Sequence, residues 1–199
     1  MRIRPKARLV AVCLLALTVA IWSMGAIRGD DAPVDIRTLP LVDQEGHPLS
    51  LQALQGQTMV VHVMFTHCVA ACHLQVRSLR AVREALTPET RARVQFVSVS
   101  IDPEHDTPET LRLYATSNGI TDANWHFATG ATAVIDRLTR ALGVVRTTSP
   151  DGVIDHTLVT VLFDAQGRLI QRYGGPVDTA RLVREISDVD RLFGHSASH

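Results

Sequence analysis

An excess of charge of one sign is missing from this sequence, and with it the usual signature of a protein that binds nucleic acid. The 199 residues include 20 basic and 20 acidic side chains, which gives a formal net charge of +0. The body of the chain has no run of like charges and no patch in which aromatic residues alternate with arginine or lysine. DNA and RNA are therefore not expected as partners.

The sequence also lacks the motifs of the common hydrolytic enzymes. It has no evident serine–histidine–acid constellation, no glycine-rich loop for phosphates and no pair of catalytic carboxylates. The stretch DPEHD at 102–106 has acidic groups, but Asp102 and Pro103 are interpreted as loop formers. Hydrolytic catalysis is not expected, and thiol–disulfide exchange is the enzymatic activity that the cysteines leave open.

Cysteine is scarce, and the first of the three cysteines lies in a different kind of segment from the other two. Cys13 falls within the stretch from Leu9 to Ile27, which has no charged residue and follows the basic start MRIRPKAR. A helix of this length spans roughly 28 Å, close to the hydrocarbon thickness of a bilayer. We predict a membrane anchor at 1–27, with a cleaved signal peptide as the alternative, and a linker at 28–38. Because basic flanks stay in the cytoplasm, the rest of the chain is expected on the other side, facing the periplasm from a bacterial inner membrane.

The remaining sequence predicts one α/β domain with a thioredoxin-like fold at 39–190 and a flexible tail at 191–199. The turn signal DQEGHP predicts an N-terminal hairpin extension at 39–51. Apolar runs predict five strands, and helical spacing with Thr107 as one N-cap predicts four helices. The strands are expected at 59–65, 94–101, 125–128, 158–163 and 169–173, and the helices at 70–86, 108–117, 131–142 and 177–190. A polar loop is expected between 142 and 158. A βαβα unit followed by ββα is the element order of a thioredoxin-like fold.

The stretch FTHCVAACHLQ at 65–75 carries the two remaining cysteines, Cys68 and Cys72, directly after a predicted strand. At a helix start and one turn inside it, their Cα atoms would lie roughly 6 Å apart, which suits either a disulfide or a shared metal ion. The helix N-terminus favours thiolate, which is both the nucleophile and the metal ligand. Three residues separate the cysteines, whereas thioredoxin-type exchange uses two. Two small side chains that only fill the core are the remaining alternative.

A metal held by two thiolates needs a third ligand, and His156 is the candidate among the nine histidines. It precedes the predicted strand at 158–163, in a loop that returns beside the cysteine helix in this fold, and Asp155 is placed to orient its imidazole. His73 would lie roughly 140° around a helix from Cys68, so it is expected to face solvent or to pack. His67 precedes the helix and stays a reserve candidate.

Four sequence stretches together resemble the Sco/SenC family of copper chaperones for cytochrome c oxidase. They are FTHCxxxC at 65–72, SIDPEHDTPETLRLYA at 100–115, WHFATG at 125–130 and DHT at 155–157. The resemblance extends from about 39 to 186. It implies a membrane-anchored, exported thioredoxin-like domain that binds copper, as Cu(I) or Cu(II), through Cys68, Cys72 and His156. It also implies two partners, the copper-site subunit of cytochrome c oxidase and a copper donor chaperone.

The chain departs from the family pattern next to both cysteines. Val69 and His73 stand where family members usually have proline. Without a proline to fix φ after the first cysteine, a looser loop with an altered copper affinity or redox potential is expected.

Two functions remain as alternatives to a copper chaperone. One is a membrane-tethered thiol–disulfide oxidoreductase that reduces the cysteines of a copper-site apoprotein and does not need His156. The other is a metal-free binding module for a membrane partner.

Overall fold

In the computed structural model of this chain, residues 34–68, 71–149 and 154–194 are described. The predicted membrane anchor at 1–27 lies outside these residues, as does the end of the predicted tail from 195 onward. Within the described ranges, no helix is both long enough and apolar enough to cross a bilayer.

A seven-stranded mixed sheet forms the centre of the domain. The strands in chain order are β1 (Leu41–Asp43), β2 (Pro48–Leu49), β3 (Thr58–Met64), β4 (Val94–Ser100), β5 (Trp125–Thr129), β6 (Arg146–Thr148), β7 (Ile154–His156), β8 (Val159–Phe163) and β9 (Leu169–Gly174). Their order in the main sheet is β2-β1-β5-β4-β3-β8-β9, and β6 pairs with β7 in a separate two-stranded sheet. The pairs β3–β4 and β4–β5 are parallel, whereas the other pairs are antiparallel.

Strand β3 occupies a central position, which explains its nearly continuous apolar sequence. Every residue of β3 is buried, and the strand pairs with β4 on one side and β8 on the other. A strand covered on both faces lacks the apolar–polar alternation of a surface strand. The segment with Cys68 leaves the carboxyl end of this strand, as the sequence predicts.

In the described parts of the chain, five α-helices accompany the sheet: α1 (Ala71–Ala85), α2 (Pro88–Ala92), α3 (Pro108–Ser117), α4 (Thr132–Ala141) and α5 (Thr179–Phe193). The predicted cap of α3 is confirmed, because the Thr107 hydroxyl accepts from the backbone N–H of Thr110 at 3.2 Å. The short helix α2 is absent from the sequence prediction, which used Pro88 only as the end of α1. Thr87 caps α2 by accepting from Thr90 N–H at 3.2 Å, and Pro88 is its first residue.

The predicted loop between 142 and 158 is wrong in part, because it contains β6 and β7. These strands pair from Arg146 with His156 to Thr148 with Ile154. All three residues of β6 are exposed, and β7 alternates over only three residues, which is too short a pattern to predict a strand. His156 is consequently the last residue of a strand, and a two-residue link separates it from β8.

Candidate metal centre

Cys68 lies in the turn that leaves β3. Its backbone N–H donates to the carbonyl oxygen of Phe65 at 3.4 Å, and the residue is half-buried. Cys72 is the second residue of α1. Val69 and Ala70 are not among the described residues, and the predicted pairing of the two cysteine side chains also lies outside them.

His156 reaches the same end of β3 from the separate hairpin. Its ring meets that of Phe65 edge to face, with 5.6 Å between centroids and 66° between planes. Phe65 is therefore a common neighbour: its backbone carbonyl contacts the Cys68 backbone, and its side chain contacts the His156 imidazole. The fold brings the cysteine turn and His156 together, although they are far apart in the sequence.

The hydrogen bonding of His156 fixes which ring nitrogen carries its proton. Nδ1 lies 3.0 Å from the carbonyl oxygen of Thr157, and a carbonyl only accepts, so Nδ1 is the donor. In the neutral ring the lone pair is then on Nε2, the form in which an imidazole binds a metal. Burial lowers the pKa of His156, against the opposing effects of the Thr157 hydrogen bond and the charge of Asp155. The imidazole is thus neutral at neutral pH.

A buried carboxylate fastens the cysteine turn to the DPEHD loop. Asp106 has no solvent exposure and accepts from Thr66 N–H at 3.0 Å, from the Thr66 hydroxyl at 2.5 Å and from the Ser100 hydroxyl at 2.5 Å. Hydrogen bonds to an ionised carboxylate are among the stronger ones in proteins. The interpretation of Asp102 and Pro103 as loop formers did not extend to Asp106, which holds the residue two positions before Cys68.

His73 packs, as expected, against the neighbouring helix. Its ring stacks on Tyr114 with 5.4 Å between centroids and 27° between planes, and its Nδ1 lies 3.4 Å from the Tyr114 hydroxyl. The proline-replacing histidine thus contributes to the contact between α1 and α3.

A second buried histidine lies in β3, close enough to His156 for their charges to interact. His62 is 1% exposed, and its Nε2 lies 2.7 Å from the Ser98 hydroxyl, which also accepts from Trp125 Nε1 at 2.9 Å. The pKa of His62 is lowered to about 4, mainly by burial; a backbone hydrogen bond at Val63 opposes the shift, and the charge interaction with His156 adds to it. The apolar sequence of β3 gives no sign of this interaction between the two histidines.

The described residues include side chains of the type that binds copper. Leaving out the Cys72 side chain, which is not described, no three histidine, cysteine or acidic side chains are grouped closely enough to hold a metal ion. A half-buried thiol and a neutral imidazole at one end of the sheet nevertheless match the soft and borderline ligands that copper prefers. The donor chemistry fits copper, with Cys72 needed to complete the predicted set.

Comparison with known proteins gives a family and a fold. The SCO1/SenC family model matches residues 35–190. The SCO1 protein homolog of Bacillus subtilis strain 168 is 24% identical over 153 residues, which are 75% of this chain and 79% of that protein.

Two solved structures have the same thioredoxin-like fold. Arabidopsis thaliana ScoI with copper bound has a TM-score of 0.68 at 22% identity, over 78% of this chain and 97% of that one. BsSco, described as a member of the Sco family of cytochrome c oxidase assembly proteins with a disulfide switch, has a TM-score of 0.64 at 22% identity, over 81% and 97%. The predicted thioredoxin-like class with its N-terminal hairpin is therefore confirmed.

Proposed function

Since the chain belongs to the SCO1/SenC family, we propose that it is a membrane-anchored copper chaperone. It binds one copper ion through Cys68, Cys72 and His156 and delivers it to, or helps assemble, the copper site of cytochrome c oxidase. Its partners are a copper donor chaperone and the copper-site subunit of the oxidase. The copper-bound Arabidopsis protein and BsSco support this proposal as relatives in fold.

The packing of His156 against Phe65 is the observation that carries the proposal. A neutral imidazole with its proton fixed on Nδ1 lies next to the residue that hydrogen-bonds the Cys68 backbone. Two thiolates and one imidazole give a soft site suited to Cu(I), and the same ligands accept Cu(II). Purely structural cysteines and a metal-free binding module have no need of an imidazole there, and neither does an oxidoreductase.

Redox control of copper binding tests the proposal directly. In the full chain purified in detergent, with Cys13→Ser removing the thiol outside the pair, the reduced form should retain one Cu(I) against a chelator. The form with a Cys68–Cys72 disulfide should retain none, because the disulfide consumes both thiolates. Equal retention by the two forms would show that the cysteines do not bind the copper. An oxidised sample reduced again and then loaded is the matched control for damage during oxidation.

The topology is also a proposal, based on the basic start and the uncharged stretch at 9–27. A reporter that is active only outside the cytoplasm should work when fused after His199, and the fusion should stay with the membrane after a high-salt wash. Activity of a cytoplasm-only reporter would overturn this orientation. Release of a shortened soluble form would replace the anchor with a cleaved signal peptide.

A further inference from the structure

Two exposed histidines meet beside the cysteine turn without belonging to the proposed copper ligands. His67 lies in the turn after β3, and His105 lies in the DPEHD loop after β4. Their rings are 6.2 Å apart between centroids, with 78° between planes. The side chain of His105 is 66% exposed, so this pair is open to solvent.

An aspartate fixes the proton position on His105. Its Nδ1 lies 2.9 Å from one carboxylate oxygen of Asp102 and 3.0 Å from the other, and the Asp102 side chain is only 11% exposed. A carboxylate accepts, so Nδ1 carries the proton and, in the neutral ring, Nε2 carries the lone pair. A carboxylate that accepts from the far nitrogen of an imidazole is the usual support of a metal-binding histidine.

A hydrogen bond to Thr66 fixes the proton of His67 on the same ring nitrogen as in His105. Its Nδ1 lies 3.3 Å from the Thr66 hydroxyl oxygen. That hydroxyl has one proton, which it donates to Asp106 at 2.5 Å, so it accepts from the imidazole. Nδ1 of His67 is therefore also the protonated nitrogen, and Nε2 is the atom with the lone pair.

We propose that Nε2 of His67 and Nε2 of His105 form a two-imidazole site for a divalent transition-metal ion, with water completing the coordination. An imidazole centroid lies about 3.2 Å from an ion bound at Nε2, so two rings on opposite sides of one ion have centroids at most about 6.4 Å apart. The observed 6.2 Å is within that limit. Imidazole binds copper, nickel and zinc, and among divalent ions Cu(II) binds most tightly. Cu(II) is therefore the ion expected to bind first.

The charges around His105 suit a cation. A cavity of about 220 Å³ beside it has Asp102, Glu104 and Arg146 among its lining residues. The Arg146 guanidinium donates to the Ile101 carbonyl at 2.6 Å. Two carboxylates and one guanidinium leave a net negative charge next to the imidazole pair, which offsets part of the cost of holding a divalent ion.

This site differs from the proposed copper centre in its ligands and in the ion it prefers. It uses none of Cys68, Cys72 and His156, and it lacks the thiolates that favour Cu(I). Because His67 directly precedes Cys68 in sequence, the ion would bind next to the turn that carries Cys68. The inference holds or fails independently of the proposed function.

Cu(II) binding to a chain without the competing ligands tests the site. The background is the full chain in detergent with five substitutions: Cys13→Ser, Cys68→Ser, Cys72→Ser, His195→Ala and His199→Ala. We expect one bound Cu(II) per chain, with an electron paramagnetic resonance spectrum that shows coupling to two imidazole nitrogens. His67→Ala and His105→Ala should each weaken binding by more than about tenfold and leave one coupled nitrogen.

Three further variants separate this site from its neighbours. Asp102→Asn, which alters the support of His105, should weaken binding by about 10- to 100-fold and keep both coupled nitrogens. His156→Ala, which removes the imidazole of the proposed copper centre, should keep both coupled nitrogens. The matched control is His47→Ala, because His47 is also exposed and its Nδ1 lies 3.8 Å from the Asp43 carboxylate. It should have no effect.

The inference is overturned if either His67→Ala or His105→Ala binds Cu(II) as tightly as the background, or if His156→Ala alone abolishes binding. The oxidised chain with its Cys68–Cys72 disulfide, carrying only Cys13→Ser, His195→Ala and His199→Ala, provides the same measurement with both cysteines of the pair in place. It guards against a background chain that fails to fold.

Discussion

Replacing His156 with alanine is expected to reduce the Cu(I) affinity of the reduced chain by more than about a hundredfold. Loss of an outer partner of a metal ligand already costs about 10- to 100-fold, and His156→Ala would remove the ligand itself. His73→Ala should change the affinity by less than tenfold, about 1.4 kcal/mol. His73 stacks on Tyr114 and belongs to the contact between α1 and α3. Competition with a Cu(I) chelator measures both values.

His73 is a demanding control for His156, because it is adjacent to a cysteine in sequence and has the same side chain. A general loss of copper caused by removing any histidine near the site would affect both variants. The ligand assignment is wrong if His73→Ala loses copper while His156→Ala keeps it. In a thiol–disulfide oxidoreductase, His156→Ala would leave the reduction of a substrate disulfide unchanged, so that assay separates the alternative function.

The second large effect concerns pH and the stability of the copper-free domain. Burial lowers the pKa of His62 to about 4 in the folded chain, from 6.5 when unfolded. Between these values the unfolded chain binds the proton and the folded chain does not, so the free energy of unfolding falls as pH falls. The stabilisation is fully present above about pH 6.5 and is lost towards pH 4. A pKa difference of this size between the folded and the unfolded chain corresponds to about 3 kcal/mol in the free energy of unfolding.

A variant with an uncharged side chain at this position should show a shallower pH dependence. His62→Gln removes the titrating group and keeps an amide near the Ser98 hydroxyl, so its unfolding free energy should decline less from pH 6.5 to pH 4. Some decline should remain, because burial also lowers the pKa of His126 and of His156. His105 acts in the opposite direction, since its hydrogen bond to Asp102 raises its pKa.

Trp125 provides the signal for this measurement, because its Nε1 donates to the same Ser98 hydroxyl that bonds His62. Trp22→Phe removes the second tryptophan, so fluorescence during denaturant unfolding of the full chain in detergent reports on the domain. If the unfolding free energy of His62→Gln depends on pH as steeply as that of the unsubstituted domain, the titration of His62 is not the cause of that dependence.

The sequence was most informative where burial or backbone chemistry leaves a local pattern. The apolar run of β3 follows from its central place in the sheet, and Thr107 with Pro108 predicts the start of α3. The same four letters, TPET, occur at 87–90 and at 107–110, and both copies begin a helix. Helix α2 was therefore predictable, but Pro88 was interpreted only as a helix end.

The tertiary contacts of the site left no such pattern. An exposed polar hairpin such as β6–β7 forms because its backbone groups pair, not because its side chains alternate. The position of His156 came from the resemblance and the expected fold. The meeting of His67 with His105 depends on two loops converging at the ends of neighbouring parallel strands. The presence of nine histidines in the sequence does not show which of them lie close together in the folded chain.

The separate hairpin also affects how copper could be released. A two-stranded sheet alone is marginally stable in water, and β6–β7 does not belong to the seven-stranded sheet. Copper bound to both cysteines and His156 would act as a removable cross-link between this hairpin and the turn after β3, closing a long loop of chain. Taking the ion away would return entropy to the hairpin while the main sheet stays paired. Release of copper would then increase the mobility of the β6–β7 hairpin. The gain in conformational entropy would offset part of the free energy needed to break the copper–ligand bonds.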